Sequence, residues 1–309
     1  YQNKYTNFQV IVVDNGSEDD SIKRIQEYCS GKIKVNSEFF TYKNKTIELI
    51  EIDSENCIKK FNMHNNMLLL IKNKKNYGFA EGNNIDIRFA LEELNPDYVL
   101  LLNNDAVVDP YFLNELISVA ESDMHIGVLG PTVYDYKMPH SIQSAGAKIY
   151  WNKGEAVNLT SHENMCSEEP EDVDSVIGCA LLAKSELFHK IGYLIKDYFA
   201  YMEETEWCVR AHNESYRIVY VPKGKIWHKG GATSNKITGF TLYYHTRNKF
   251  WFMRQHSSKK QYFSFLVYFF GFRMWMVMGG ILYRQKSKEI LPSFISFLKG
   301  IRDGTTNRN

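Results

Sequence analysis

Apolar positions along the first third of the chain fall into short runs, each closed by a polar turn. The stretch FQVIVVDNGSEDDS predicts a strand ending at Val13, a turn through Asn15 and Gly16, and a helix opened by the acidic residues Glu18 to Asp20. The plan repeats with a strand at Met67 to Lys72, a glycine-punctuated loop and a helix reaching Leu94. A further strand follows at Tyr98 to Leu102, continuously apolar as expected of a strand covered on both faces. Asp109 and Pro110 predict the next helix start, with that helix reaching about Ser122. Beyond it come a strand at IGVLG, a polar surface loop from Asn152 to Asp174, and a strand with a short helix in SVIGCALLAKSELFHKIG. This alternation predicts a layered α/β fold with a mostly parallel sheet. The polar region from Asn36 to Asn62, with TIELIEID inside it, reads as an inserted hairpin or excursion.

From Tyr243 the texture becomes aromatic, basic and helical. The run YFSFLVYFFGFRMWMVMGGILYR is nearly long enough to span a bilayer, but it carries Arg273 near its middle and has basic flanks. It reads as an interfacial helix with Arg273 and flanking lysines at headgroup level, against the plainer alternative of a buried bundle helix. The chain therefore divides at about residue 240, with a catalytic domain over 1–240 and a helical, membrane-associating region over 241–309.

Composition narrows the function by exclusion. The 309 residues carry 37 Lys and Arg against 36 Asp and Glu, so no overall field favours nucleic acid. Cys29, Cys57, Cys166, Cys179 and Cys208 are scattered without a C-x-x-C pair and read as reduced thiols. Asn-x-Ser/Thr triplets begin at Asn15, Asn44, Asn158 and Asn213; the first lies in a loop read below as ligand-binding, where a glycan would block the pocket, which favours a cytoplasmic location. No signal peptide opens the sequence, and Tyr1 stands almost directly before a strand without an initiator Met, so the reading is of an N-terminally truncated chain.

Four acidic or histidine-bearing segments carry the candidate chemistry: VVDNGS with Asp14, LLNNDA with Asp105, YMEETEWCVRAH with Glu203, Glu204 and Glu206, and KIWHKGGATS with His228. Each has a plain alternative. Asp14 caps a turn, Asp105 is a solvated loop carboxylate, the glutamates form the acidic first turn of a helix, and His228 packs beside Trp227. Taken together, a carboxylate and a histidine at separate strand ends suit a hard divalent cation held chiefly by a diphosphate. No P-loop, G-x-G-x-x-G, H-E-x-x-H or nucleophile elbow competes for the site.

The segments VIVVDNGSEDDS, NYGFAEGNN, LLNNDAVVDP, IGCALLAKSELFHKIG, YFAYMEETEWCVRA and IWHKGGATS occur in one order from Val10 to about Arg254. In that order and spacing the chain resembles the family 2 inverting glycosyltransferases, particularly their rhamnosyltransferase-like branch. The resemblance implies a GT-A nucleotide-sugar fold and inverting transfer of a rhamnose-like or other hexose. The donor would be a nucleoside-diphosphate sugar, and the acceptor a saccharide or a lipid-linked one in surface polysaccharide synthesis. Carried over by position, Asp14 contacts the nucleobase, Asn76, Gly78 and Asn83 shape the nucleotide-side loop, and Asn103 and Asn104 belong to the donor site. Asp105 binds Mg or Mn with help from His228, and Glu204 is the general base beside Glu203. Three departures stand out: glutamates replace both usual aspartates in Glu-Glu-Thr-Glu, Asn103 replaces the first aspartate of D-x-D, and the family's opening strand has no counterpart before Tyr1. That strand would lie beside the one ending at Asp14. Its loss predicts marginal stability and weak nucleotide binding unless another segment, first of all Asn36 to Asn62, takes its place. Two other readings stay open, a sugar nucleotidyltransferase and a catalytically impaired nucleotide-sugar-binding module.

Overall fold

The computed structural model describes residues 3–35, 37–41, 45–54, 66–160, 168–230 and 238–306. In chain order the elements are β1 (Val10–Asp14), α1 (Ser21–Cys29), β2 (Glu48–Asp53), β3 (Met67–Lys72), α2 (Gly78–Phe89), β4 (Tyr98–Leu102), β5 (Ala106–Val108), α3 (Phe112–Ala120) and β6 (Ile126–Asp135). They continue with β7 (Ile142–Ser144), β8 (Ala147–Tyr150), β9 (Glu155–Asn158), β10 (Glu171–Asp172), β11 (Ala180–Lys184), α4 (Ser185–Ile191), α5 (Glu203–Asn213), β12 (Arg217–His228), α6 (Phe240–His256), α7 (Lys259–Tyr268), α8 (Met274–Arg284) and α9 (Ser287–Thr305). Cys57, Cys166, Asn44 and the Gly231 to Ser234 end of the His228 motif lie outside the described residues.

Two sheets carry the α/β core. In the first, β1, β3 and β2 pair in that order and all run parallel. The second has the path β10-β12-β6-β11-β4, with β5 on β12 and β7 on β6. Only β6 and β12 are parallel there; β11 runs against both β4 and β6. The expected mostly parallel sheet is thus corrected to a mixed one, because an apolar run reads the same whichever way its neighbour points. The TIELIEID segment is likewise no hairpin: β2 adds to β3 in a six-residue parallel register, on the side away from β1. It therefore does not stand beside β1. Among the described residues β1 has no strand on its side away from β3, and β4 none away from β11. Their side chains are correspondingly less buried than those of β3, and Leu102 is 41% exposed.

One helix ties the sheets together. From α2, Ile85 and Phe89 pack on Ile11, Leu69 and Ile71 of the first sheet, while Ile87 joins Leu101 and Leu181 of the second. The same face of the second sheet is covered by Leu187 of α4 and Trp207 and Ala211 of α5, and the opposite face by Phe112 and Leu116 of α3. Helix, sheet and helix make the layers. The polar region from Asn152 to Asp174 also holds structure, since β9 forms a hairpin with β8 and β10 pairs with β12. At the start of α3, Asp109 acts two residues earlier than expected, its Oδ1 accepting from the Tyr111 amide at 2.8 Å.

The C-terminal helices pack Phe250, Phe252, Phe265, Phe269 and Phe297 against Ile149, Tyr198, Met202 and Val209 of the body. Residues Lys259–Tyr283 form one continuous apolar helix, with mean hydropathy 1.6 over its most apolar stretch but only 17% of that stretch buried. That overturns the buried-bundle alternative. Arg273 is not at the outer face either: its Nε lies 3.2 Å from Glu155 Oε1, which also pairs with Lys249 at 2.8 Å.

A buried side chain on α2 reaches across the molecule to fix the loop before α5. Asn84 donates to the Leu194 carbonyl at 2.8 Å and accepts from its amide at 3.0 Å, as a neighbouring strand would. Asn84→Ala leaves both groups unpaired, so urea melts should show a loss of about 3 kcal/mol with an unchanged slope.

Candidate active site

The site begins where β1 and β3 end. Asp14 is buried, and its Oδ2 accepts from the Ser17 amide at 3.2 Å, so the turn-capping reading holds for one of its oxygens. Asn15, which the sequence marked only as a turn residue and a glycosylation triplet, zips the two loops together. Its amide nitrogen donates to Asn76 Oδ1 at 3.1 Å and to the Gly78 carbonyl at 3.0 Å, and its oxygen accepts from Asn73 and from the Tyr77 amide. Gly78 has φ of +81°, and a Cβ there would meet the Phe199 carbonyl at 2.6 Å, so this position demands glycine twice over. Asn83 is turned back on its own helix, donating to the Phe79 carbonyl at 2.7 Å.

Past β4, Asn103 is partly exposed, Asn104 is exposed, and Asp105 is half-buried at the edge of β5. Pairing of β5 with the end of β12 sets Ala106 opposite His228 and brings Asp105 Oδ1 to 3.1 Å from His228 Nε2. That contact with His228 holds the Asp105 carboxyl below its ordinary range. On the other side of the ring, Nδ1 lies 2.9 Å from Gln143 Oε1, and a proton there donates to that oxygen. With Nδ1 so engaged, Nε2 either carries a second proton and donates it to Asp105 or shares a cation with that carboxylate, since two acceptors at that distance need a proton or a cation between them. Among the described residues no group of three or more His, Cys, Asp and Glu could hold a metal, so this pair supplies two ligands and no more. The donor set of one carboxylate oxygen and one oriented imidazole fits a hard divalent cation whose other positions go to phosphate and water.

Three glutamates open α5, and packing gives them different fates. Glu206 is fully buried and neutralised by Arg210, whose Nε lies 2.8 Å from Oε1, with His256 Nε2 3.0 Å from the same oxygen. Glu203 is 4% exposed, and its Oε2 has no hydrogen-bond partner among the described residues. Burial, then the neighbouring Glu204 charge, push its carboxyl well above the ordinary range. Glu204 is partly exposed; burial raises its carboxyl too, opposed by hydrogen bonds from its own amide and from Thr205. It lies against the start of β11, where a Cβ on Gly178 would be 3.5 Å from Glu204 Cγ and from the Phe79 ring. The next residue, buried Cys179, feels the charges of both Asp105 and Glu204. Gly178 and Cys179 thus form a floor that Glu204 packs against and that lies within electrostatic reach of Asp105.

The loop feeding α5 is strained. Phe199, Tyr201 and Met202 all have positive φ, of 63°, 70° and 72°, and none is glycine. Such residues cost about 1–3 kcal/mol each and persist only where surroundings hold them.

A buried carboxyl whose protonation is favoured by the fold binds its proton to higher pH than in the unfolded chain. Its contribution is full below the unfolded range and is lost as pH rises through the raised folded value. Glu203→Gln removes that loss, so it should raise the melting temperature by an amount that grows as pH is raised above the ordinary carboxylate range, measured across a pH series.

Comparison with known proteins bears on this geometry. Residues 53–189 match the sequence profile described as Glycosyl transferase family 2. Over 311 aligned residues the chain is 25% identical to the low-salt glycan biosynthesis hexosyltransferase of Haloferax volcanii, covering 98% of this chain and 94% of that one. It is 24% identical over 190 residues to the dTDP-rhamnosyl transferase of Shigella flexneri, covering 59% of this chain and 62% of that one. Among solved structures it resembles the mannosyltransferase of Pyrobaculum calidifontis in complex with GDP-Man and Mn2+, with a TM-score of 0.53, 11% identity, and coverage of 97% of this chain and 77% of that one. Residues 53–189 thus carry the glycosyltransferase family 2 match, and the chain has the fold of the GT-A glycosyltransferases.

Proposed function

We propose that the protein is an inverting, divalent-cation-dependent hexosyltransferase. It moves a rhamnose-like or other hexose from a nucleoside-diphosphate sugar to a saccharide or lipid-linked acceptor of surface polysaccharide synthesis. The observation that supports this reading is that Glu204 and the Asp105 and His228 pair converge on the same short stretch, Gly178 and Cys179. In this reading Asp14 and the loops joined by Asn15 and Asn76 receive the nucleoside, and Gly78 lets that loop close on the Phe199 backbone. Asn103 and Asn104 line the donor site between them. Glu204 accepts the acceptor hydroxyl proton while that oxygen attacks the anomeric carbon from the side opposite the diphosphate. Asp105 and His228 would hold Mg or Mn, which supplies positive charge against the leaving diphosphate. Burial favours the protonated form of Glu203, which limits the negative charge beside the base.

Glu204→Gln should lower turnover by about 10² to 10⁴ with donor affinity retained, since the amide keeps the shape but takes no proton. Asp105→Ala should abolish the dependence of nucleoside-diphosphate binding on Mn, measured by calorimetry with and without the ion. Full metal-dependent transfer in Asp105→Ala, or full turnover in Glu204→Gln, contradicts the assignment.

A lipid-linked acceptor places the enzyme at a membrane, and the helix over Lys259–Tyr283 supports peripheral attachment on the cytoplasmic face. Its inner face, through Phe265, Phe269 and Ile281, packs on the body, while Phe263, Val267, Phe272, Trp275 and Leu282 are all more than half exposed. A helix bound along one side by protein lies flat in an interface rather than crossing it. Exposed Lys259, Lys260, Lys286 and Lys288 flank the apolar face and match anionic headgroups. The protein should therefore float with phosphatidylglycerol vesicles and do so less with phosphatidylcholine alone. Phe272→Glu with Trp275→Glu should abolish flotation, whereas unchanged flotation in that variant contradicts this docking face.

A further inference from the structure

Helix α6 buries four consecutive polar residues, Thr246, Arg247, Asn248 and Lys249, in a part of the chain whose sequence reads as basic surface. Lys249 answers Glu155. The other charged member, Arg247, and its neighbour Asn248 face the strained loop that leads into the glutamates. The Asn248 amide nitrogen lies 3.0 Å from the Tyr198 carbonyl, 2.8 Å from that of Ala200 and 2.8 Å from that of Tyr201. Three carbonyls share two N–H donors, and all three belong to the loop. Arg247 Nε donates to Asn248 Oδ1 at 2.9 Å, which fixes which end of the amide faces the loop. Its Nη2 adds contacts to the carbonyls of Asp197 at 2.6 Å and Tyr198 at 3.0 Å. The guanidinium is itself held over the rings of Trp251 at 4.1 Å and Tyr244 at 4.8 Å.

One loop carbonyl points the other way. Phe199 O accepts from the amides of Phe79 at 2.6 Å and Ala80 at 3.3 Å, at the start of α2 and next to Gly78. The loop is thus suspended between the nucleotide-side helix and α6, and Glu203 follows its last left-handed residue directly. We propose that Arg247 and Asn248 are positioning residues: they hold residues 198–202 in the left-handed course that sets Glu203 and Glu204 against Gly178 and the start of α2. The proposal rests on the reading of Glu204 as the base. A residue serving only to fill the core would need partners of any kind. Here every acceptor of the Asn248 amide lies within six residues of the candidate base, and the geometry they enforce is one that non-glycine residues avoid.

The test compares Asn248→Ala, Tyr201→Gly and the double variant in the intact protein, with Glu204→Gln alongside, reading turnover, donor KM and melting temperature. Asn248→Ala should lower kcat by about 10²-fold, the scale of a misplaced catalytic group. Donor KM should stay within about threefold, because the contacts among Asn15, Asn76 and Gly78 remain. In the Tyr201→Gly background, where the left-handed course no longer strains the chain, the loss caused by Asn248→Ala should shrink at least about fivefold. If Asn248→Ala does not fold, Arg247→Lys is measured in the same two backgrounds, with the same expected split between kcat and KM. The proposal is overturned if the folded variant keeps kcat within about threefold of the parent while Glu204→Gln is inactive, or if its loss is equal in both backgrounds. Full activity of Glu204→Gln instead overturns the base assignment, and the positioning role falls with it.

Discussion

The carbonyl of Phe199 and the amides of Phe79 and Ala80 meet where the two halves of the site join. On one side of that contact stand Gly78 and the loops zipped by Asn15; on the other stands the turn into α5 with its glutamates. For the contact to form, residue 78 must lack a side chain, since a Cβ would sit 2.6 Å from the same carbonyl. The backbone after Phe199 must also turn left-handed through Tyr201 and Met202. The remaining carbonyls of that turn then need donors inside the protein, and α6 brings Asn248 and Arg247 to supply them. One hydrogen bond therefore propagates into a glycine, a strained loop and a buried polar helix face.

Electrostatics divide the labour among the three glutamates of α5. A helix N-terminus favours carboxylates, yet three of them in one turn repel each other where water is scarce. Glu206 is neutralised by Arg210, lies against His256 and serves the packing of α5. Glu203 is the costly one, buried with an oxygen unpartnered, and the fold tolerates it as a neutral acid. Glu204 alone keeps both a raised carboxyl and an opening to the site. A base whose proton affinity is raised by burial is better matched to a hydroxyl than a solvated carboxylate is. Asp105 is shifted the other way by His228, so the two carboxyls of the site carry opposite tendencies.

The runs that alternate cleanly with helices were legible in the sequence. The apolar stretches ending at Val13, Lys72 and Leu102 became β1, β3 and β4, each with its motif at the carboxyl end. Direction and pairing were not legible, because side-chain pattern reports burial and not the sense of a neighbouring strand. Strand β12 was hidden for a different reason: Pro222 and Gly224 interrupt it, and the sheet absorbs them in a register shift between Val221 and Lys225. Six motifs placed the loops of the site but not their supports. Gln143, which orients His228, stands 85 residues before it in an unremarkable segment. Asn248 and Arg247 were invisible because polar residues on a helix suggest exposure, and only the folded loop shows what they donate to. The apolar helix over Lys259–Tyr283 was recognised, but its Arg273 was placed outward when Glu155 draws it in.

The central claim is that one sugar donor lies across the Gly178 and Cys179 floor, its diphosphate by Asp105 and His228 and its anomeric carbon facing Glu204. A crystal structure with Mn and a non-hydrolysable nucleoside-diphosphate sugar tests it most directly. The account predicts Mn bound by Asp105 and His228 Nε2 with diphosphate oxygens completing its shell, the base against the Asn15 loop, and Glu204 on the sugar face opposite the diphosphate. A nucleotide bound away from Asp14 and Asn15, or a donor whose anomeric carbon faces away from Glu204, would contradict it.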